Sequence, residues 1–309
     1  MHARAATALS TALLGTAALL LPATDVRAVE DGTPPEVIAH RGASAHAPEN
    51  TLAAVDKAAA LGAVWVENDV QRTKDGALVV LHDDSLRRTT DVEEVFPGRA
   101  PWKVKDFTAA EISRLDAGSW FGASYAGARV PTLRQYLHRV DLHHQKLLLE
   151  LKNPELYPGI EGQTLKLLSN EGWFDRRHEN RLVVQSFGVA ALRTVHELKP
   201  GVRTGLLGKP AVSDLPAYAD FADQINPSYT ALSAAYVSAV HAFTGPHGRP
   251  LEVSAWTVNT AEAARRVAGY GVDGIITNEP GVVRDALAGQ GPLSLVTGHC
   301  QWRPVRWGA

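Results

Sequence analysis

Residues 37–62 read "VIAHRGASAHAPENTLAAVDKAAALG". A short β-branched run stops at His40 and Arg41, a loop follows, and "PENT" opens an alanine-rich helical pattern that closes at Gly62. The strand, taken as Glu36–Ala39, is followed by a helix, and the unit recurs. Val64–Val70 reads as a second strand, Lys146–Leu151 is followed by a helical Gly159–Gly172, and Leu182–Ser186 by Val189–Leu198. Arg203–Leu207 and Phe221–Ile225 come next. Leu251–Thr257 precedes "TAEAARRVAGYG", and Gly274–Thr277 precedes "EPGVVRDALAG". Strand and helix in alternation imply a parallel sheet. About eight strands are enough to close an α/β (β/α)8 barrel of TIM type, whose active site lies at the C-terminal strand ends. An open doubly wound sheet is the main alternative.

Two parts break the alternation. "GALVVLHDDSL" after the "KDG" turn reads as a hairpin strand, and about Arg87–Thr132 reads as an insertion after the second strand, with a helical "TAAEISRLD". The barrel is expected over about residues 35–290, and residues 291–309, which include Cys300, read as a tail.

The 309 residues are 45% hydrophobic and 21% charged, an ordinary globular composition, and the formal charge of -2 gives no general reason to expect nucleic acid as a partner. At the N-terminus, His2 and Arg4 precede an apolar Thr11–Leu21, and Val26-Arg27-Ala28 offers small residues at the positions a signal peptidase reads. Residues 1–28 are therefore expected to be a signal peptide cleaved after Ala28, leaving a secreted or envelope-associated protein. The apolar stretch is shorter than the ~20 residues that span a bilayer, so stable membrane insertion is not expected. Cys300 is the only cysteine, which rules out an intrachain disulfide.

Glu67 and Asp69 in "VWVENDV" are two apart on a strand and share a face, while Val66 and Asn68 point the other way. Two inward carboxylates need a compensating cation: a hard metal ion, or a lysine or arginine at the strand end. Glu150 closes the leucine run of "LLLELKNP", with Lys152 on the same face, so the three acids make a candidate site for Ca2+ or Mg2+. The alternative for Glu150 and Lys152 is a simple ion pair. His82 in "VVLHDD" repeats the pattern of His40, a histidine where an apolar strand stops. Each taken alone reads as a structural histidine; beside a carboxylate cluster the two suggest an acid and base pair. Arg41 offers a fork for a phosphate oxygen, or else a partner for a carboxylate such as Glu67. Gly271 and Gly274 in "GVDGIITNEP" make a poor phosphate loop and read as barrel turns, and His46 reads as a surface residue.

Together "HRG" (40–42), "PENT" (48–51), "ENDV" (67–70), "TKDGALVVLHDDSLRRTTD" (73–91), "PTL" (131–133), "ELK" (150–152), "QSF" (185–187), "AWTVN" (255–259) and "GVDGIITNEP" (271–280) resemble the glycerophosphodiester phosphodiesterase family, from about Val37 to Leu287. The resemblance implies a TIM-type barrel, a divalent cation and hydrolysis of small glycerophosphodiesters to sn-glycerol 3-phosphate and an alcohol. Position by position it implies His40 and His82 as acid and base, Arg41 as a phosphate contact, and Glu67, Asp69 and Glu150 as metal ligands. It also implies Lys152 as a neutraliser of phosphate charge and Trp256 as a pocket wall, although a tryptophan there also suits a core position. Gly188 departs from the pattern, standing where an acidic residue is common. The attacking oxygen is water or the glycerol 2-hydroxyl, and a resemblance to phosphatidylinositol-type lyases on similar barrels keeps the cyclic route open.

Two other functions fit the same scaffold. A phospholipase D-like enzyme acting on intact lipid needs an apolar mouth, for which Phe96, Trp102, Trp120 and Phe121 of the insertion are available; these also suit an insertion core. A catalytically silent barrel that binds phosphate or polyols is free to lose a histidine or a ligand, yet both histidines and all three carboxylates are present.

Overall fold

The computed structural model describes residues 34–289. The expected signal peptide at 1–28, the tail at 291–309 and Cys300 lie outside them. Nine strands form one sheet: β1 (Glu36–Ala39), β2 (Trp65–Arg72), β3 (Leu78–Val80), β4 (Lys146–Leu151), β5 (Leu182–Ser186), β6 (Arg203–Leu207), β7 (Gln224–Asn226), β8 (Glu252–Ala255) and β9 (Gly274–Thr277). Their order is β1-β9-β8-β7-β6-β5-β4-β2-β3, and β1 also pairs with β2. That last pairing closes eight parallel strands into a TIM-type barrel and excludes the open sheet. Only β3 is antiparallel, on the upper end of β2, as the "KDG" turn predicts.

The helices are α1 (Leu52–Ala60), α2 (Val92–Val95), α3 (Ala109–Ile112), α4 (Leu133–Leu142), α5 (Ile160–Asn170), α6 (Val189–Leu198), α7 (Leu215–Ala219), α8 (Ala234–His241), α9 (Ala261–Ala268) and α10 (Pro280–Ala288). Local chemistry sets several of their starts. The Thr51 hydroxyl accepts from the Ala54 N–H at the head of α1. Thr132 and Gln135 form a capping box on α4, and Pro280 opens α10.

Alternation along each strand divides the side chains between two layers. On β4, Leu147, Leu149 and Leu151 point outward into a core shared with Val66, Val70, Tyr136 and Leu168. Leu148 points inward, where it joins Ile38, Trp65, Val183 and Ile276 in an apolar plug. Truncating a leucine of either layer costs about 2–5 kcal/mol. Above the plug the same inward face turns polar, which is what builds the site.

Three strands differ from the reading by sequence: β2 runs on to Arg72, two residues past Val70, and β7 and β8 are shorter than expected. β7 begins at Gln224 and not Phe221, because the Phe221 and Ala222 N–H groups both bond the Tyr218 carbonyl and finish the preceding turn. β8 stops at Ala255. Gly271, with φ +84°, is a turn glycine, but Gly274 is not. It opens β9, and a Cβ there would lie 2.4 Å from Ser254 Oγ, so the small residue serves close strand packing.

The inserted segment packs Val92, Val104, Phe107, Ile112 and Leu115 onto Val79, Leu81 and Leu86 of the hairpin that precedes it, and Phe96 and Trp102 pack against this core. Trp120 is 42% exposed and stacks edge-on with Phe121. Among the described residues no helix is long and apolar enough to cross a membrane.

Candidate active site

The site is built at the C-terminal ends of β1, β2 and β4. After β1 the chain turns left-handed, with φ +58° at Arg41 and +79° at Gly42. A Cβ on Gly42 would meet the Ala54 backbone at 2.6 Å, so α1 packs this closely only against glycine. The turn aims the Arg41 N–H at Glu67 Oε2, 2.8 Å away. Its guanidinium meets Glu49 Oε1 at 2.8 Å and Asp69 Oδ2 at 3.4 Å. The expected alternative partner, Glu67, is thus held by the Arg41 main chain and not by its side chain.

Glu67, Asp69 and Glu150 are brought together. Asp69 lies opposite Glu150 in the β2–β4 register, all three are buried, and each offers an oxygen within 4.8 Å of the others. Lys152 Nζ is 2.9 Å from Glu150 Oε1 and 3.8 Å from Asp69 Oδ1. Glu67 Oε1 and Asp69 Oδ1 have no hydrogen-bond partner among the described residues. Buried carboxylate oxygens are rarely left orphaned. Oxygen donors crowded this way, with too little positive charge nearby, fit a hard divalent cation.

The electrostatics reflect that crowding. Burial, then Asp69 and Glu150, push Glu67 well above the usual carboxylate range. Burial and the Asp69 charge raise Glu150 to about 7 against the pull of Lys152. Asp69 is also pushed up by burial, but Arg41, His82 and Lys152 outweigh it and hold Asp69 below its ordinary value. Asn50, in the left-handed region at φ +59°, donates to Asp69 Oδ2 at 2.8 Å.

The two histidines reach the site by different routes. His40 follows β1 directly, and the β1–β9 pairing, Ala39 beside Thr277, sets its Nδ1 2.7 Å from Asn278 Oδ1. Burial, then Arg41, lower the ring to about 4, so it is neutral at pH 7. His82 follows the hairpin strand β3, which carries the chain back down until the Leu81 N–H bonds the Asp69 carbonyl at 2.9 Å. Gln71 donates to the carbonyls of Leu81 and Asp83, both at 2.7 Å, and so fixes the backbone on either side of His82. The His82 Nδ1 lies 2.7 Å from Asp83 Oδ1.

At the rim, Lys152 Nζ sits 5.6 Å from the Phe187 ring, which meets Trp256 edge-on at 5.8 Å. Trp256 packs on the barrel plug and donates its indole N–H to the Asn226 carbonyl at 2.7 Å, so it caps the barrel core. His46 pairs with Glu279 at 2.7 Å, outside this cluster. Gly188 starts α6 and gives the site no side chain. No role follows from the sequence for Glu49, Asn50, Gln71, Asp83, Arg88, Phe187 or Asn278. All but Gln71 lie inside the motifs quoted above, and Asp83 carries a further local signal, a carboxylate directly after the histidine.

The fold and site define a TIM-barrel enzyme of the phosphodiesterase class. Residues 40–282 match the glycerophosphoryl diester phosphodiesterase family model, and the chain belongs to that family. It is 36% identical over 252 residues to a glycerophosphodiester phosphodiesterase of Caldanaerobacter subterraneus subsp. tengcongensis, covering 79% of this chain and 94% of that one. The corresponding enzyme of Bacillus subtilis is 34% identical over 261 residues, covering 79% and 83%. Among solved structures, an Oleispira antarctica phosphodiesterase in complex with the product sn-glycerol-3-phosphate superposes with a TM-score of 0.69 at 31% identity, covering 82% of this chain and 97% of that one.

Proposed function

We propose that the protein hydrolyses small glycerophosphodiesters to sn-glycerol 3-phosphate and an alcohol. The observation that carries this reading is the set of three buried carboxylates with two orphaned oxygens, flanked by two histidines whose ring nitrogens are differently tied. The product bound to the Oleispira antarctica relative supports the substrate class.

Glu67, Asp69 and Glu150 would hold one divalent cation, Ca2+ or Mg2+, which when bound supplies Lewis-acid stabilisation of charge on the phosphoryl oxygens. Arg41 and Lys152 add positive charge on the same side. The neutral His40 donates from Nδ1 to Asn278, which leaves Nε2 free to take a proton from the attacking oxygen. The ionised Asp83 holds His82 through Nδ1, which orients the ring to give a proton to the leaving alkoxide. Phe187 and Trp256 pack against the apolar face of glycerol or the alcohol.

Headgroup diesters are favoured over intact lipid because Phe96 and Trp102 are spent on the insertion core. Export after cleavage at Ala28 remains part of this proposal; N-terminal sequencing of protein recovered outside the cytoplasm tests it. For the activity, the purified protein is incubated with glycerophosphocholine, and release of glycerol 3-phosphate is followed by a coupled assay with and without EDTA. Undiminished turnover after thorough chelation overturns the cation assignment. Absence of turnover on a panel of glycerophosphodiesters overturns the reaction.

A further inference from the structure

Arg88 lies in the inserted segment and belongs to none of the groups that would touch substrate. Its guanidinium is nevertheless the most fully engaged at the mouth. Nη1 and Nη2 bond the two oxygens of Glu49 at 2.8 and 2.7 Å, while Nε and Nη2 bond the two oxygens of Asp83 at 2.6 and 3.1 Å. Each carboxylate passes the constraint on: Glu49 Oε1 to the Arg41 guanidinium at 2.8 Å, and Asp83 Oδ1 to His82 Nδ1 at 2.7 Å.

Stability alone does not account for this. The Arg88 side chain is 45% exposed, where solvent screens ion pairs and reduces what they add to stability. What a planar fork with two bidentate partners does supply is orientation, because it leaves each carboxylate one geometry. Lysine, a single point of charge, cannot do the same.

Resting on the reaction proposed above, we propose that Arg88 is a positioning residue: its guanidinium fixes Asp83 and Glu49, and through them the His82 ring and the Arg41 fork. The insertion thereby takes part in catalysis through one side chain. Both carboxylates are held below the usual range, Asp83 by His82 and Arg88, and Glu49, against its burial, by Arg88 and Arg41, so both are ionised under working conditions.

The test compares the full-length protein with Arg88→Ala and Arg88→Lys, using Arg87→Ala as a control. Arg87 is 66% exposed and, among the described residues, forms a salt bridge only with Glu93 at the surface. Arg88→Ala is expected to lower kcat on glycerophosphocholine by about 10- to 100-fold with little change in KM. Added guanidinium chloride restores at least part of that loss, whereas methylammonium does not. Arg88→Lys shows the same kcat defect, and Arg87→Ala matches the wild type. In 15N-histidine NMR, the neutral His82 ring of the wild type is the Nδ1–H tautomer, and Arg88→Ala gives an average of the two. A wild-type kcat in Arg88→Ala or Arg88→Lys overturns the proposal. So does a kcat loss that guanidinium leaves unrestored while the His82 ring signals are unchanged. If the wild-type protein turns over no diester, the reaction reading has failed, and the His82 ring signals alone then decide the role of Arg88.

Discussion

Asn278 Oδ1 lies 2.7 Å from His40 Nδ1, across the seam where β9 meets β1 and 238 residues away along the chain. The amide oxygen accepts the Nδ1 proton without adding a charge, so the ring is fixed in one tautomer and stays neutral. His40 in the folded protein titrates at about 4, below its ordinary 6.5. Its contribution to stability is therefore full above pH 6.5 and is lost as the pH falls toward 4. A neutral base also places the acidic limb of the kcat/KM profile near pH 4. Asn278→Asp puts a carboxylate in the same place and is expected to move that limb upward by about one to three pH units. A limb unmoved in the variant removes His40 from the role of base.

The carboxylate cluster makes a prediction that needs no turnover. Glu150 titrates at about 7 in the folded, cation-free protein against an ordinary 4.5, so the protein loses stability as the pH rises through that interval. A cation that binds the ionised cluster reverses the loss. Thermal melting with millimolar Ca2+ or Mg2+ is expected to show a stabilisation at pH 7.5 that shrinks toward pH 5 and is absent in Glu67→Gln. A shift independent of pH, or retained in that variant, places the cation elsewhere.

His40→Ala and His82→Ala are each expected to reduce kcat by about 100- to 10,000-fold. Both variants should melt close to the wild type. Asn278 Oδ1 keeps the Ser44 hydroxyl as a donor at 3.0 Å, and Asp83 keeps Arg88, so neither change orphans its partner. Near-normal turnover in either variant, in the coupled assay, refutes its place in proton transfer.

Two glycines separate backbone strain from packing. Gly76 has φ +88° and open space where a methyl group would stand, whereas Gly42 has φ +79° and the Ala54 backbone at 2.6 Å. Gly76→Ala is expected to cost about 1 kcal/mol and Gly42→Ala about 3 kcal/mol or more, read by urea denaturation. Equal costs at the two positions contradict the close packing of α1 on the Arg41 turn.

Much of this architecture is legible in the chain. Period-2 alternation placed Glu67 and Asp69 on one face, and Leu148 and Glu150 share the inward face of β4 in the same way. The helix after the second barrel strand, α4, was harder to see. The insertion separates it from β2, and only its capping residues, Thr132 and Gln135, mark where it starts. Likewise the strand-like Phe221 and Ala222 proved to be a turn, because a neighbouring carbonyl claimed their N–H groups.

The sequence by itself determined the alternation of strands and helices and set His40, Glu67, Asp69 and Glu150 at strand ends, because both follow from short-range periodicity and from motif order; closure into a barrel rested on the tertiary pairing of β1 with β2. The charge states and orientations of those residues were decided only by the tertiary structure. Closure of β1 on β9 gave His40 its neutral partner, the β3 hairpin returned His82 to the level of Asp69, and the insertion supplied Arg88. Burial and Coulomb interactions depend on distances between residues far apart in the chain, and no local pattern encodes those distances.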